Sequence, residues 1–312
     1  MKQRILVPLD GSPLAETALS EARLMAQVLD CAITLLHVIM PVTAERAYLF
    51  PTSRLQHDWE DYHSRAQEYL HTVQARLAED GIEAACCVDE GFPADVITRH
   101  IENDPAVAMA VIATHGRSGL QRWFLGSVAD KVFHAVRKPV MIVRPAPKNQ
   151  PVVDKGQYRT ILVPLDGSSI AAQAIDMAQQ IGKNTGATLV LLGAVPNVTD
   201  LIMGVGDTLP LWMEEQLQEE KDRLTKYLDL TAQQYVATGG KARTRVVYGQ
   251  PAEEILHACT DEKADLIVMA SHGRSGMQRL WYGSVATKVV NAAAVPLLII
   301  HASIPNEPGT PL

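Results

Sequence analysis

The segment Arg4-Ile5-Leu6-Val7-Pro8-Leu9-Asp10-Gly11-Ser12 returns almost unchanged as Thr160-Ile161-Leu162-Val163-Pro164-Leu165-Asp166-Gly167-Ser168. A second segment, His115-Gly116-Arg117-Ser118-Gly119, returns as His272-Gly273-Arg274-Ser275-Gly276, and the two offsets differ by a single residue. An offset that survives across half of a 312-residue chain means a duplicated domain, not a short stacking repeat. Between the copies runs Pro145-Ala146-Pro147-Lys148-Asn149-Gln150-Pro151, a proline-rich polar stretch suited to a semi-stiff linker. We therefore expect one domain over residues 1–147, a linker over 148–156, a second domain over 157–305 and a frayed tail over 306–312.

Within each copy the pattern alternates strand and helix. Residues 5–9 form a continuous apolar run, as in a parallel strand covered on both faces. Ser12-Pro13 reads as a helix N-cap followed by N1, opening a helix with Ala15, Ala18, Leu19, Ala22 and Ala26 on one side. Further strands are expected over 33–38, 84–88, 108–113 and 140–143. A long amphipathic helix is expected over 54–78, ended by Asp80-Gly81, with shorter helices over 93–102 and 127–135. This alternation implies right-handed crossovers and a mostly parallel, doubly wound sheet. Ligands in such sheets bind beyond the carboxyl ends of the strands, which here means Asp10, Val38 and the loop after Ala113.

Composition narrows the function classes. With 47% hydrophobic and 20% charged residues the chain reads as soluble and globular. A net charge of −7 with scattered Lys and Arg leaves no basic stripe for nucleic acid. No apolar run approaches the ~20 residues that span a bilayer. The start, Met1-Lys2-Gln3-Arg4 before Ile5, lacks a signal-peptide core, so a cytoplasmic location is expected. Cys31, Cys86, Cys87 and Cys259 show no metal spacing and read as reduced thiols. His57, His63 and His71 on the long helix are not spaced as adjacent metal ligands and read as a solvated face.

The chemistry concentrates in the loop from Ala113 to Gly126-Ser127. Glycines at 116, 119 and 126 let the backbone approach phosphate oxygens closely, and Ser127 reads as the cap of a helix whose free N–H groups favour an anion. The second copy repeats the spacing with Gly273, Gly276, Gly283 and Ser284. Neither the dinucleotide nor the P-loop pattern occurs, and no Gly-x-Ser-x-Gly nucleophile motif is present. Asp10 and Asp166 read either as caps of the following helix or as ribose or metal contacts. Arg117 and Arg274 read as phosphate donors or solvated loop cations. His115 and His272 read as backbone-satisfied rather than catalytic, and no catalytic residue is assigned.

These residues resemble the universal stress protein family, in its tandem two-domain form. The family signature G-x2-G-x9-G-[ST] is matched by Ala113-x2-Gly116-x9-Gly126-Ser127 and by Ala270-x2-Gly273-x9-Gly283-Ser284, with alanine for the first glycine in both copies. The V-P-x-D-G-S opening and Leu35-Leu36-His37-Val38 are also similar to that family. The resemblance implies two Rossmann-like domains, each a five-stranded parallel sheet of order 3-2-1-4-5 with helices on both faces. It implies an adenine nucleotide (ATP, AMP or ADP) at the carboxyl edge of each sheet. In the first copy the implied contacts are Pro8, Leu9, Asp10, Val38, Ala113, His115, Gly116, Arg117, Gly119, Gly126, Ser127 and Val128. In the second they are Pro164, Leu165, Asp166, Ala194, Ala270, His272, Gly273, Arg274, Gly276, Gly283, Ser284 and Val285.

By the same resemblance Asp10 and Asp166 would face any nucleotide-bound Mg²⁺, and Val38 and Ala194 the adenine. Gly193-Ala194 in place of His37-Val38 is expected to thin the adenine wall of the second copy and to rank the first site ahead. Pairing of the two domains through their fifth strands (140–143 and 297–300), or a homodimer, is implied as well. Three functions fit the residues: a cytoplasmic stress-response binding or signalling module, a slow Mg-dependent ATPase or phosphoryl or nucleotidyl transferase, and a scaffold that has lost binding.

Overall fold

The computed structural model describes residues 2–41, 52–114, 125–145, 157–196, 211–272 and 284–302. Two compact units emerge, Met1–Asp154 and Lys155–Leu312, each containing five parallel strands. The expected linker over 148–156 and tail over 306–312 lie outside the described residues.

The first domain contains β1 (Arg4–Pro8), β2 (Ala32–Ile39), β3 (Ala84–Glu90), β4 (Val107–Ala113) and β5 (Val140–Val143). β1 pairs in parallel with β2 and β4, β2 with β3, and β4 with β5, which is the order 3-2-1-4-5. The second domain repeats this with β6 (Thr160–Pro164), β7 (Thr188–Val195), β8 (Lys241–Tyr248), β9 (Leu266–His272) and β10 (Leu297–Ala302). Ile5, Leu6 and Val7 in β1, and Ile161, Leu162 and Val163 in β6, are fully buried. Both faces of these central strands are covered by helices, which explains their unbroken apolar runs.

The crossovers in the first domain are α1 (Pro13–Glu16), α2 (Ala18–Leu29), α3 (Thr52–Glu79), α4 (Pro93–Asn103) and α5 (Ser127–Ala135). In the second they are α6 (Ser169–Thr185), α7 (Leu211–Ala237), α8 (Pro251–Asp261) and α9 (Ser284–Ala292). The single helix expected after Ser12 is in fact divided. Thr17 donates its hydroxyl to the Leu14 carbonyl at 2.7 Å, a local bond that competes with the helix ladder, and α2 restarts beyond it. Its counterpart α6 runs unbroken.

The long helices α3 and α7 correspond residue by residue. Both close in the same turn, where Ile82 N–H donates to Leu77 C=O and Gly240 N–H donates to Tyr235 C=O. That register matches Ala66, Leu70, Val73 and Leu77 to Leu224, Leu228, Thr231 and Tyr235, the buried seam that packs each helix on its sheet. All four cysteines are free thiols, Cys31 and Cys259 buried.

Candidate functional site

The Asp-Gly-Ser segment after the first strand of each domain forms one tight turn, built alike in the two copies. Gly11 and Gly167 adopt φ of 80° and 81°, a left-handed conformation that glycine reaches without a Cβ clash. The Asp10 and Asp166 carboxylates each accept the N–H of the serine two residues on, at 2.9 Å. Ser12 and Ser168 then cap α1 and α6 by accepting the N–H of Ala15 and Ala171, at 3.1 Å. The capping reading of the two aspartates is therefore realised one step removed: they hold the capping serines. Each uses Oδ1 for that bond, and both side chains are exposed at the carboxyl edge of the sheet. Burial works to raise the Asp10 pKa, but hydrogen bonds from Ser12 and the nearby His37 outweigh it and hold the carboxyl below its ordinary range.

The loop expected to bind phosphate ends where α5 begins. Here the N-cap is Gly126, in extended conformation, and Ser127 is the first helical residue, a correction to the expectation that Ser127 caps the helix. Gly126 has no side chain to offer, so no side-chain cap occupies the first-turn amides. Those amides and the helix dipole favour an anion. Ser127 is exposed and Val128 half-buried beside them. One feature opposes an anion in the first domain: Asp130 stands in the first turn of α5, paired with His134 at 3.3 Å. The matching residue of α9 is Thr287, and no acidic residue stands in its first turn.

In the second domain a cavity of about 230 Å³ opens at the carboxyl ends of β6, β7 and β9. Pro164, Leu165 and Asp166 from β6 and its exit, Ala194 from β7, Ala270 from β9 and Val285 from α9 all line it. Six sequence-predicted residues thus converge on one space. Ligand pockets usually run from roughly 300 Å³ upward, so this space is small for a whole drug-sized ligand. Ser284 opens α9 at the surface and is not among the lining residues.

Pro251 and Ile255 of α8, Met269, Leu192 and Ser271 also line the cavity and were missed. A signal existed for Pro251: Gly249-Gln250-Pro251 repeats Gly91-Phe92-Pro93 of the first copy, with both glycines at positive φ and both prolines opening a helix. The others read as ordinary core positions in the sequence.

Strand alternation narrows the expectation of a thinner adenine wall to position 194. Leu192 and Ala194 face the cavity, whereas Gly193 faces α7, where a Cβ would stand 2.6 Å from Leu224 Cδ2. Leu224 already fills the space that a side chain at 193 would claim. The first domain reverses the sizes, with His37 on the strand and Ala66 on the helix. Within the pocket the difference reduces to Val38 against Ala194.

His37 also brings a polar network to the first domain alone. Its ring meets Tyr69 edge-on at 6.2 Å, Tyr69 donates to Glu16 at 3.1 Å, and Arg76 donates to the same carboxylate at 2.8 Å. Burial pushes the His37 pKa down and, with Glu16 close by, the Tyr69 pKa up.

Pro8, Leu9, Asp10, Val38 and Ala113 gather at the matching edge of the first sheet, with Leu9 buried and Asp10 exposed. His115, Gly116, Arg117, Gly119, Gly273, Arg274, Gly276 and Gly283 lie outside the described residues. His272 ends β9, and its side chain is outside them. Among the described residues no group of three or more His, Cys, Asp or Glu is placed to hold a metal ion. His71 pairs instead with Gln74 on the exposed face of α3.

A model of the universal stress protein family matches residues 1–144 and again residues 157–301. Universal stress protein Rv1996 of Mycobacterium tuberculosis is 27% identical over 98% of this chain and 97% of its own length. Universal stress protein MJ0531 of Methanocaldococcus jannaschii is 34% identical, covering 46% of this chain and 82% of its own. The crystal structure of a universal stress protein from Archaeoglobus fulgidus superposes with a TM-score of 0.72 at 22% identity, over 96% of this chain and 98% of that one.

Proposed function

The chain belongs to the universal stress protein family, and from that premise we propose that each of its domains binds an adenine nucleotide at the carboxyl edge of its sheet. The observation that carries this reading is the cavity of the second domain. Its lining joins the three strand ends, the Asp166 turn and the first turn of α9, which are the parts a nucleotide needs: an apolar slot, a carboxylate and a helix start. Adenine would lie against Leu165 and Ala194, or Leu9 and Val38 in the first domain. The phosphates would extend toward the amides opening α9 and α5.

ATP, AMP and ADP share this chemistry, and Asp10 and Asp166 fit a role beside Mg²⁺. Oδ1 of each holds the turn, and among the described residues Oδ2 accepts no hydrogen bond. One carboxylate suffices for a magnesium ion that takes its remaining ligands from phosphate and water.

The same lining favours a binding or signalling module over an enzyme. Asp166 is the one titratable side chain among the described lining residues, and the proposed place for it is beside Mg²⁺. Phosphoryl transfer or hydrolysis wants a positioned base as well. No helix among the described residues is long and apolar enough to cross a membrane, and we place the module in the cytoplasm.

Calorimetric titration of the intact protein with MgATP and with AMP tests the proposal, with two equivalents bound as the expected result. A ligand at 100 times its Kd should add about 2.7 kcal/mol of stability. Absence of heat together with an unmoved Tm would refute it.

A further inference from the structure

Ser271 is the residue of β9 just beyond Ala270, and it lines the cavity of the second domain. It is 3% exposed, and its Oγ has no hydrogen-bond partner among the described residues. The first domain repeats the arrangement. Thr114 follows Ala113, is 1% exposed, and its Oγ1 has no partner among the described residues either. Thr114 gives its backbone N–H to Val143 C=O at 2.8 Å, so the unused donor is the hydroxyl.

A buried hydroxyl without a partner lowers stability, and alanine at the same place would carry no such cost. Both copies nevertheless place a hydroxyl there, one residue beyond the matching alanines Ala113 and Ala270 at the carboxyl end of the fourth strand of each domain. Such a cost is understandable where the partner arrives with a ligand.

We infer that Ser271 is a ligand-binding residue whose hydroxyl donates a hydrogen bond to the phosphoryl group next to the ribose of a bound nucleotide. The inference rests on the nucleotide reading above and assigns one contact within it. Position selects the phosphoryl group. In the strand sequence β7, β6, β9 the hydroxyl lies two strand spacings, roughly 10 Å, from Ala194 and the base wall. On its other side it shares the cavity with Val285 and Ala286, in the first turn of α9. A hydroxyl donor beside first-turn amides that lack intrahelical acceptors is a donor set suited to an anion. Thr114 plays the same part beside α5.

The test is titration of the full chain and its Ser271→Ala variant with AMP and with adenosine. AMP affinity at one of the two sites should fall roughly 10- to 150-fold, the size of a hydrogen bond to a charged group. Adenosine affinity should hold, and the Tm of the unliganded variant should not drop. Ser271→Thr, which supplies the hydroxyl found at position 114, should restore AMP binding. Unchanged AMP affinity in Ser271→Ala overturns the inference, as does an equal loss for AMP and adenosine. A variant that loses several degrees of unliganded Tm while binding AMP normally assigns the hydroxyl to the fold and also overturns it. A wild-type chain that binds no AMP removes the nucleotide reading itself, whereas wild-type binding matched by Ser271→Ala removes this contact alone.

Discussion

Replacing Gly193 by alanine tests which way the β7 backbone faces. A Cβ there would stand 2.6 Å from Leu224 Cδ2, 2.8 Å from Leu224 Cγ and 3.2 Å from Leu228 Cδ1. Leu224 is 3% exposed and Leu228 fully buried, so neither can swing into water. Adding a carbon to a packed core costs about 1–3 kcal/mol, and replacing glycine within a strand returns roughly 0.5–1 kcal/mol. The net loss should be about 0.5–2 kcal/mol. At roughly 2–4 °C per kcal/mol for a domain of this size, Tm should fall by a few degrees.

Leu224→Ala alone should cost about 2–5 kcal/mol through the void it leaves. Combined with Gly193→Ala it should cost less than the sum, because the new methyl group enters that void. Urea unfolding of the four proteins, followed by circular dichroism, supplies the cycle. Nucleotide affinity should be the same in Gly193→Ala as in the wild type, since the cavity is faced by residues 192 and 194. Strict additivity, or a variant of undiminished stability that binds nucleotide poorly, would refute the reasoning.

Three further outcomes follow from the same geometry. Gly126→Val should crowd the anion end of the first domain and reduce the titrated stoichiometry from two nucleotides to one; an unchanged stoichiometry would dissociate α5 from the phosphates. Asp130→Thr, which copies position 287, should raise nucleotide affinity in the first domain about 2- to 5-fold by removing a charge worth roughly 0.3–1 kcal/mol at a helix start, and calorimetry in low salt would detect it. Asp89 accepts hydrogen bonds from His100 at 2.7 Å and Arg99 at 2.9 Å, and the His100 bond most of all holds its pKa near about 2. A folded pKa below the ordinary 3.8 means the contribution is complete above pH ~4 and disappears as pH falls toward ~2. The carboxylate is partly exposed and its partner Arg99 mostly so, and Asp89→Asn should cost about 1 kcal/mol at neutral pH, with the difference from wild type vanishing in acid; a difference independent of pH would exclude this ion pair as its source.

Much of the fold was legible because its signals are local or repeated. Strand runs buried on both faces need apolar residues throughout, so β1 and β6 announce themselves. The Asp-Gly-Ser turn was readable because left-handed φ and serine capping are demands of the local backbone. The division of the first helix was less so. It depends on whether Thr17 bonds outward or back to Leu14, and α6 shows that a similar stretch can run straight through. The cap one residue earlier than expected, at Gly126, turns on a single ψ angle that both residue types tolerate.

Read in order, the chain already carries the duplication, the parallel character of each sheet, the edge where a ligand would sit and the residues that end its strands there, while the strand order came with the family resemblance. All but that order rest on periodicity and spacing, which are properties of the chain itself. Tertiary structure alone decided the rest. It set which face position 193 takes and showed that Leu224 answers it from a helix about thirty residues away. It brought Pro251 and Ile255 into the cavity wall. It also buried the Thr114 and Ser271 hydroxyls without a partner among the described residues. Each of these is a contact between segments distant along the chain, and its energy depends on who stands opposite. No single window of sequence carries that information.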